Sequence, residues 1–395
     1  MALLDMRDTL DLATGERALA WRAGIHELYP NASSLMNVLM RTTKRKKVDT
    51  DPEVNWWERD HAQRELIVET GDVPDQQAAG ASDTLDVDDG AYECPKHSLI
   101  FNTRTFEIVM VSADPTTDTD ISIVRGIGGT GNQATWADND VLQVIHTSHP
   151  EGDSVPSAIS RPPTKVNNYL GIHRHATNNT NTALATRLRT PQLRQRAKAE
   201  ALKDHEVSKA WSCLLGRKSE RSTSDGIVRT SAGVMEFCTT HVYNAAAGFT
   251  KSGFRSWFYD VMEHGSDEKW LACGLTLFKI IEEMCEYESV QFREVPETDT
   301  YGISVKTLMW GGKRLHVSPE AILSRSTTFT SWGFCLDFDQ IEYAYLTGRD
   351  TDWKPNRQNP GDDRNIGEWL AEMGWVMYNA DDTMGYVKTA TSYSP

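Results

Sequence analysis

The feature that most restricts the fold is a long amphipathic segment, residues 190–216, with the sequence TPQLRQRAKAEALKDHEVSKAWSCLLG. Thr190 is a favourable helix cap, Pro191 suits a first helical turn, and Gly216 favours the left-handed conformation that ends many helices. About 25 helical residues make a rod of roughly 38 Å, longer than the average globular helix. We predict that this helix packs on a sheet through an apolar stripe with helical spacing, formed by Leu193, Ala197, Ala201, Val207, Ala210, Trp211, Leu214 and Leu215.

The other face of this segment is basic, and charge is segregated along the chain. Residues 48–95 hold 14 acidic and two basic side chains, a net charge of −12, whereas residues 187–221 hold ten basic and four acidic side chains, a net charge of +6. Such segregation is typical of a protein that meets copies of itself. An acidic solvated loop beside an ordinary basic helix face explains the charges equally well. The basic side chains of the helix that enter later arguments are Arg194, Lys198, Lys203 and Lys209.

The bulk composition limits the class of protein. A chain of 395 residues is too long for one simple core, so we expect two or three domains. The formal net charge of −15 argues against tight binding to duplex nucleic acid. No stretch approaches the roughly 20 apolar residues of a membrane span, and the acidic start does not fit a secretory leader. The six cysteines lack C-x-x-C spacing, which predicts reduced, mostly buried thiols and neither a disulfide framework nor a zinc site. We expect no cofactor.

The first third of the chain alternates between short segments whose patterns predict folded structure and polar segments whose composition does not. Residues 1–32 are typical of a weakly folded arm, and residues 35–41 predict a helix that is apolar almost all round and therefore buried. Residues 71–90 are acidic and rich in Gly and Asp, so we expect an extended excursion with little core. A basic cluster lies between them, which is either a solvated linker or a contact for nucleic acid or an acidic neighbour: Arg41, Lys44, Arg45, Lys46 and Lys47.

The remaining signals predict an α+β chain. Residues 97–146 contain four strand patterns separated by turn residues, which indicates a small antiparallel module. Residues 164–177 predict another strand leading to the long helix. Residues 252–263 and 275–287 have the apolar faces of buried helices, and strand patterns follow from 301 to 346 and from 366 to 387.

Three patterns with catalytic or ligand-binding potential do not form a complete site. Residues 126–131, GIGGTG, match a dinucleotide fingerprint but precede a strand and not a helix, so we interpret them as a turn. His173 and His175 share one strand face without a third metal ligand. Asp337 and Asp339 also share a face, as expected for any half-buried strand. We therefore predict a protein that is not an enzyme; a nucleotide-dependent enzyme is the weakest alternative.

The order of these elements resembles a known family. The chain is similar to the major capsid proteins of tailed double-stranded-DNA bacteriophages, with the HK-ninety-seven-type fold and an enlarged E-loop region. The similarity lies in the pieces YPNASSLMNVLMR (29–41), KRKKVDTDPEVNWWE (44–58), FEIVMVSA with ISIVRGIGGT (106–130), PTKVNNYLGIHR (163–174), LLGRKSE (214–220), RTSAGVMEF (229–237), TYGISVKTL (300–308) and TGRDTDW with DDRNIGEWLAEMGW (347–375).

The resemblance implies a division into domains. The long helix becomes the spine helix of the P-domain, and the A-domain gathers around the five-fold and six-fold axes of a shell. The implied parts are an N-terminal arm lying on a neighbour (1–52), an E-loop region (53–186) with an inserted β module (97–146), the start of the P-domain with the spine helix (187–225), the A-domain (226–338), and P-domain strands that return to the A-domain (339–395).

The resemblance also implies the function and the partners. We expect a structural protein that assembles with many copies of itself, as hexamers and pentamers, into an icosahedral shell around packaged double-stranded DNA. A portal protein, decoration proteins as an option, and weak non-specific contact with DNA follow, with no membrane contact. The expected location is the capsid of the virion, after assembly in the host cytoplasm. The alternative is an encapsulin-like compartment of the same fold. We expect no processed N-terminal scaffold. Some relatives with this fold are crosslinked between a Lys and an Asn, but no such pair can be matched by motif here, so we make no prediction of a crosslink.

A contact between subunits follows from the segregated charges. We expect that the E-loop cannot fold on its own and gains order on the next subunit. Its acidic residues would then lie against the basic face of the neighbour's spine helix. The rival interpretation is that this face, with the cluster at 41–47, contacts packaged DNA. The acidic residues in question are Asp72, Asp75, Asp83, Asp86, Asp88 and Asp89.

Overall fold

A computed structural model describes residues 34–59, 65–69, 82–129, 135–152, 162–186, 193–287, 293–294 and 306–394. The chain divides into two compact units. One unit comprises Trp57–Lys165, and the other comprises Met1–Trp56 together with Val166–Pro395. Each unit is described by itself below.

The described residues form eight α-helices and 22 strands, which confirms the α+β class. The helices are α1 Ser34–Thr42, α2 Asn181–Ala185, α3 Leu193–Leu215, α4 Val234–Phe237, α5 Lys251–Met262, α6 Leu275–Tyr287, α7 Ala321–Ser324 and α8 Ala380–Thr383. The strands are β1 Lys44–Val48, β2 Glu53–Glu58, β3 Glu65–Ile67, β4 Ser82–Asp86, β5 Ser98–Asn102, β6 Ile108–Val111, β7 Asp120–Val124, β8 Val141–Thr147, β9 Thr164–Tyr169, β10 Gly171–Thr180, β11 Ser219–Thr223, β12 Gly226–Thr230, β13 Val242–Asn244, β14 Glu268–Cys273, β15 Arg293–Glu294, β16 Lys306–Trp310, β17 Lys313–Pro319, β18 Gly333–Leu336, β19 Ile341–Leu346, β20 Asp352–Lys354, β21 Arg364–Met377 and β22 Gly385–Lys388.

The long helix lies on a five-stranded sheet ordered β1-β19-β21-β10, with β20 paired to β21. Strand β21 runs for 14 residues, and its last eight are buried. This near-continuous apolar run indicates a strand covered on both faces. Tyr343 and Trp375 belong to the core under α3, whereas Ala344 and Val376 belong to a second core with Val54 of β2.

The basic cluster at 44–47 is a strand and not a linker, which corrects the first of our two interpretations. Strand β1 pairs in parallel with β19, in the register Lys44↔Glu342 to Val48↔Leu346. The helix before it, α1, buries Leu35 and Leu39, as its apolar pattern predicted. The part of the predicted arm from Ser34 onward therefore belongs to the core of its own subunit.

A seven-stranded sheet, ordered β13-β22-β18-β14-β17-β16-β15, supports the helices α5 and α6. Both helix predictions are confirmed, and so are their buried faces: Phe254, Trp257, Phe258, Val261 and Met262 on α5, and Leu277, Ile280, Ile281 and Met284 on α6. The last strand of the chain, β22, pairs with β18 and β13 in this sheet.

A buried lysine joins several parts of this lobe. The side chain of Lys269 is fully buried, and its ammonium donates hydrogen bonds of 2.6, 2.7 and 2.6 Å to the backbone oxygens of Val261, His264 and Thr383. Burial lowers the pKa of this lysine. The carboxylate of Asp337 lies 4.0 Å from the ammonium.

The unit Trp57–Lys165 has a core of its own, and this overturns the expectation that the E-loop cannot fold alone. Its six-stranded sheet is ordered β3-β8-β5-β6-β7-β4, and a bridge between Val68 and Val87 links the first strand to the last. The four strand predictions within 97–146 are confirmed as β5 to β8. The acidic flank contributes to the core because its polar residues alternate with the buried Leu85 and Val87.

We predict that Lys269→Met destabilises the subunit. The substitution keeps the apolar stem but leaves three buried carbonyl oxygens and Asp337 without their cation, which costs about 3 kcal/mol or more. Chemical denaturation followed by tryptophan fluorescence measures the loss. The control is Lys279→Met, because that side chain is 74% exposed on α6 and its loss should change the free energy by less than about 0.5 kcal/mol. Equal unfolding midpoints for the two variants would contradict the role of Lys269.

Candidate subunit-contact surface around the long helix

Helix α3 begins at Leu193 and ends at Leu215, as the amphipathic segment predicted; the proposed caps Thr190 and Pro191 lie outside the described residues. It contacts β10, β21, α1 and α4. The predicted stripe is confirmed over its C-terminal half, where Leu214 is buried and the half-buried members pack on the core. Those members are Val207, Trp211 and Leu215. Leu193 and Ala197 are only half-buried and lie outside that core.

Gly216 ends the helix for a different reason from the predicted one. It does not adopt a positive φ. A Cβ atom there would lie 2.4 Å from the backbone oxygens of both Ser212 and Ser231, and a Cβ on Gly233 would lie 2.4 Å from the oxygen of Cys213. The amide of Gly233 donates to the oxygen of Gly216 at 2.9 Å. Two backbone segments therefore cross so closely at the end of α3 that only glycine fits.

A buried asparagine fixes this crossing to the sheet. The amide nitrogen of Asn168 donates to the backbone oxygens of Ala232 and Trp375, at 3.1 and 2.7 Å, and to the hydroxyl of Ser231. Its side-chain oxygen accepts the amide of Ala232 at 2.8 Å. One side chain thus holds β9, β21 and the segment after β12 together.

Part of the predicted basic face is used inside the subunit. The ammonium of Lys198 lies 4.9 and 5.1 Å from the ring centroids of Trp353 and Trp369, and the Trp369 indole donates to the Lys198 backbone oxygen at 3.0 Å. Lys209 is buried, hydrogen-bonds Thr351 at 3.1 Å, and has its pKa lowered by burial. Lys209 is therefore not part of an exposed contact surface, because the helix turns it towards the sheet.

Three histidines cluster where α3 crosses β10. The ring centroids of His173 and His175 lie 6.3 and 5.4 Å from that of His205, and Nδ1 of His175 lies 3.3 Å from Nδ1 of His205. Burial, with a smaller effect from nearby Lys209, lowers the pKa of His173 to about 4 and that of His205 to about 3. Both rings are neutral at pH 7. Within the described residues, no group of three or more His, Cys, Asp or Glu is arranged to hold a metal ion.

Among the basic residues that were predicted to form a contact, those that stay exposed lie mainly on β1 and in the turn of helix just before it. Arg41, Lys44, Lys46 and Lys47 are exposed, and Lys47 forms an exposed ion pair of 3.3 Å with Asp49. On the helix, Arg194 is exposed and Lys203 is half-buried.

Arg45 differs from its neighbours in β1 because it is held by its own subunit. It pairs with Asp350 and lies 5.5 Å from the ring centroids of both Tyr343 and Tyr345. This difference could not be predicted from local sequence, because the partners of Arg45 lie some 300 positions away.

Two buried carboxylates on β21 were missed by sequence reasoning. Glu368 is buried and paired with Arg174 at 2.6 Å and with Arg357 at 3.0 Å, while the buried Glu372 pairs with Arg349. Their partners lie between 11 and 194 positions away, and the only signal in the sequence was two glutamates within an otherwise apolar strand.

The structure describes four of the six predicted acidic contact residues. Asp83 and Asp86 are half-exposed on β4, and Asp88 and Asp89 are exposed just after it. Asp72 and Asp75 lie outside the described residues. The four described residues thus lie at the surface of the unit Trp57–Lys165, and the core contains the residues between them.

The remaining sequence candidates have structural roles. Residues 127–129 form a short 3-10 turn with positive φ at Gly128, and not the start of an α-helix. The strand predicted through Asp337 and Asp339 is interrupted by a 3-10 turn, in which the buried Asp337 accepts the amides of Ser266 and Asp339 at 2.8 and 3.1 Å. None of the described helices is long and apolar enough to cross a membrane.

Comparison with known proteins identifies the family. A family model described as SU10 major capsid protein matches residues 19–391, so the chain belongs to the SU10 major capsid protein family. This confirms the predicted resemblance to major capsid proteins, and the role of the protein is structural, in a capsid shell. No curated protein matches the chain.

Several solved structures of shell proteins are similar at low sequence identity. The capsid of the native GTA particle is 8% identical, with 95% of each chain covered and a TM-score of 0.48. A structure from Mycobacterium phage Bobi is 9% identical, covers 95% of this chain and 96% of its own, and has a TM-score of 0.46. The SrpI encapsulin of Synechococcus elongatus PCC 7942 is 9% identical over 61% of this chain and 80% of its own, with a TM-score of 0.41. These scores lie below 0.5, so the assignment rests on the family match.

The histidine cluster predicts that acid weakens the subunit. The pKa of His205 is lower in the folded chain than the ordinary value of about 6.5, so the unfolded chain binds the proton first. The contribution of the neutral His205 ring to stability is therefore complete above about pH 6.5 and is lost by roughly 1 kcal/mol per pH unit as the pH falls towards about 3, the pKa of His205 in the folded chain. Denaturation of His205→Gln across this range should show a shallower pH slope than the parent chain.

The exposed His146 supplies the control for this measurement. His146→Gln should keep the parent slope, because this substitution on β8 leaves the buried histidine cluster unchanged. A slope that is unchanged in His205→Gln would show that this histidine is not held neutral by burial.

Proposed function

We propose that this capsid protein assembles as hexamers and pentamers into an icosahedral shell that encloses packaged double-stranded DNA. The observation that carries the proposal is the family match over residues 19–391. A shell of this kind requires each subunit to present complementary surfaces to its neighbours. The chain belongs to a family of capsid proteins, which favours this function over the encapsulin-like alternative.

The surface charges support a specific contact in that shell. Strand β1 is the first strand in its sheet order, and Lys44 and Lys46 lie on one face of it, exposed. Lysines on an edge strand oppose indiscriminate pairing with other strands and leave a positive surface. The acidic residues on and after β4 are exposed or half-exposed on the unit Trp57–Lys165. We propose that this acidic surface of one copy meets the β1 surface of a neighbour.

This contact differs from the one expected from sequence, in which the acidic residues lie against the basic face of the neighbour's long helix. It does not require the lysines that already have partners inside their own subunit. Lys198 and Lys209 are engaged by tryptophan rings and by Thr351, so they are poor partners for another subunit. Arg194 and Lys203 stay as secondary contributors at the start of α3. Attraction of this type mainly speeds association and fixes the register of the partners.

The remaining partners follow from the proposed role in the shell. Contact with packaged DNA is weak and non-specific, because a net charge of −15 opposes tight binding to phosphates. A portal protein at one vertex, decoration proteins on the outside, and assembly in the host cytoplasm before the virion is complete belong to the same proposal. The proposal assigns no catalytic role to any of the described residues.

We predict that Lys44→Glu with Lys46→Glu impairs assembly while leaving the subunit folded. Both side chains are exposed, so the free energy of unfolding should change by less than about 1 kcal/mol. Reversing two charges at a complementary contact should raise the half-assembly concentration at least about tenfold, and the defect should depend on salt. Light scattering over a concentration series measures the change.

The matched control is Lys96→Glu with Lys279→Glu, which changes the net charge equally at exposed positions outside β1. This variant should assemble like the parent chain. Equal defects in both variants would show that net charge, and not the β1 surface, controls assembly; normal assembly of the β1 variant would overturn the proposed contact.

A further inference from the structure

The hairpin that follows the long helix stands apart from the sheets of its unit. Strands β11 and β12 pair only with each other in the described sheets, in the register Ser219↔Thr230 to Thr223↔Gly226. Nearly every residue in it is exposed. A two-stranded hairpin that pairs with no further strand is marginally stable in water by itself. Burial of its exposed residues against a partner surface would stabilise it.

The middle of the hairpin carries apolar side chains in solvent. Ile227 and Val228 are 55% and 52% exposed, on opposite faces of the ribbon. At the base of the hairpin, an ion pair of 2.7 Å joins Glu220 to Arg229. The base is thus fixed while the apolar middle projects.

An open cleft of about 520 Å³ lies at that base. The end of α3 and the start of β10 line it with the half-buried rings and chains of Trp211 and Leu215 and with Ile172, which is 52% exposed. Arg217 and Arg229 are basic groups in the lining. The cleft has room for a few aliphatic side chains.

The hairpin cannot fill the cleft of its own subunit. Arg229 and Thr230, at the base of β12, are themselves part of the lining. From Thr230 the strand advances about 3.3 Å per residue, so Gly226 lies roughly 13 Å farther along the ribbon. Ile227 and Val228 remain 55% and 52% exposed in their own subunit, so they do not fill this cleft. The complementary group must come from another molecule.

Charge favours a second copy of this chain as that molecule. The turn of the hairpin carries the exposed Asp225, and the cleft carries the exposed Arg217. A hairpin that enters the cleft of the next copy brings these opposite charges towards each other. The contact is head-to-tail, and such contacts close into rings when the rotation between copies permits.

We propose that the β11–β12 hairpin of one copy inserts its apolar middle, Ile227 and Val228, into the cleft beside the end of α3 in a second copy. The inference rests on the proposed shell function and adds a definite contact to it. Burial of two β-branched side chains supplies affinity, and Asp225 with Arg217 sets the orientation. Because the cleft ends at the Gly216 crossing, its shape is fixed by backbone atoms.

The test uses cysteine crosslinking between two different variants. Val228→Cys and Ile172→Cys chains are mixed, assembled and mildly oxidised; the six native cysteines are buried and do not compete. We expect a disulfide-linked dimer of the two variants on a non-reducing gel. The control replaces Ile172→Cys by Met309→Cys, at a residue that is 46% exposed on β16 and outside the cleft. The control mixture should give at least about tenfold less crosslink.

The outcomes separate this contact from the proposed shell function. Particles that form without the Val228–Ile172 crosslink, or with equal crosslinking in the control, overturn the hairpin contact and leave the shell function standing. The absence of particles from the parent chain contradicts the shell function itself. As a second readout, Asp225→Arg and Arg217→Asp should each impair assembly, and a chain carrying both should recover it; no recovery contradicts the pairing of these two residues.

Discussion

The packing of α3 across β10 and β21 is the interaction on which the rest of this subunit depends. The helix covers one face of the sheet, where Trp375 and Tyr343 are buried, and the strands β2 and β9 cover the other. Because β21 is buried on both sides, neither layer can be removed without exposing a core. At the end of the helix, Gly216 and Gly233 allow two backbone segments to cross closely, and the side chain of Asn168 fixes this crossing to the sheet.

This packing also decides how the charged residues are used. On the sheet side, Lys209 and the three histidines share a crowded site, and burial keeps His173 and His205 neutral at pH 7. Farther along, Lys198 lies between two tryptophans, and the buried Glu368 and Glu372 are paired with arginines. Charges placed this way hold the subunit together. Charges that remain exposed, among them those on β1 and after β4, are the ones available for the contacts proposed between subunits.

Local patterns predicted the individual elements well. The amphipathic segment gave α3 to within a few residues, and the apolar faces of α5 and α6 were identified residue by residue. Strand alternation gave β5 to β8. The α+β class and the capsid family followed from the order of these elements and from the resemblance that they carry.

Long-range pairing was the part that sequence could not supply. Residues 44 to 47 have the composition of a linker, and only the pairing of β1 with β19, some 300 positions later, makes them a strand. Lys209 was expected on the solvent face because its partner Thr351 lies 142 positions away. The acidic stretch 71–90 was expected to contribute little core because it is rich in Asp and Gly and has almost no apolar residues between Val73 and Leu85, although the closing sheet buries Leu85 and Val87.

The central claim is that this chain forms a closed shell from many copies of itself. Electron cryomicroscopy of the purified parent chain tests it most directly. The account predicts icosahedral particles built of hexamers and pentamers, with α3 lying on β10 and β21 in every subunit. A preparation that stays a 44.3 kDa monomer at all concentrations and salt conditions would contradict it.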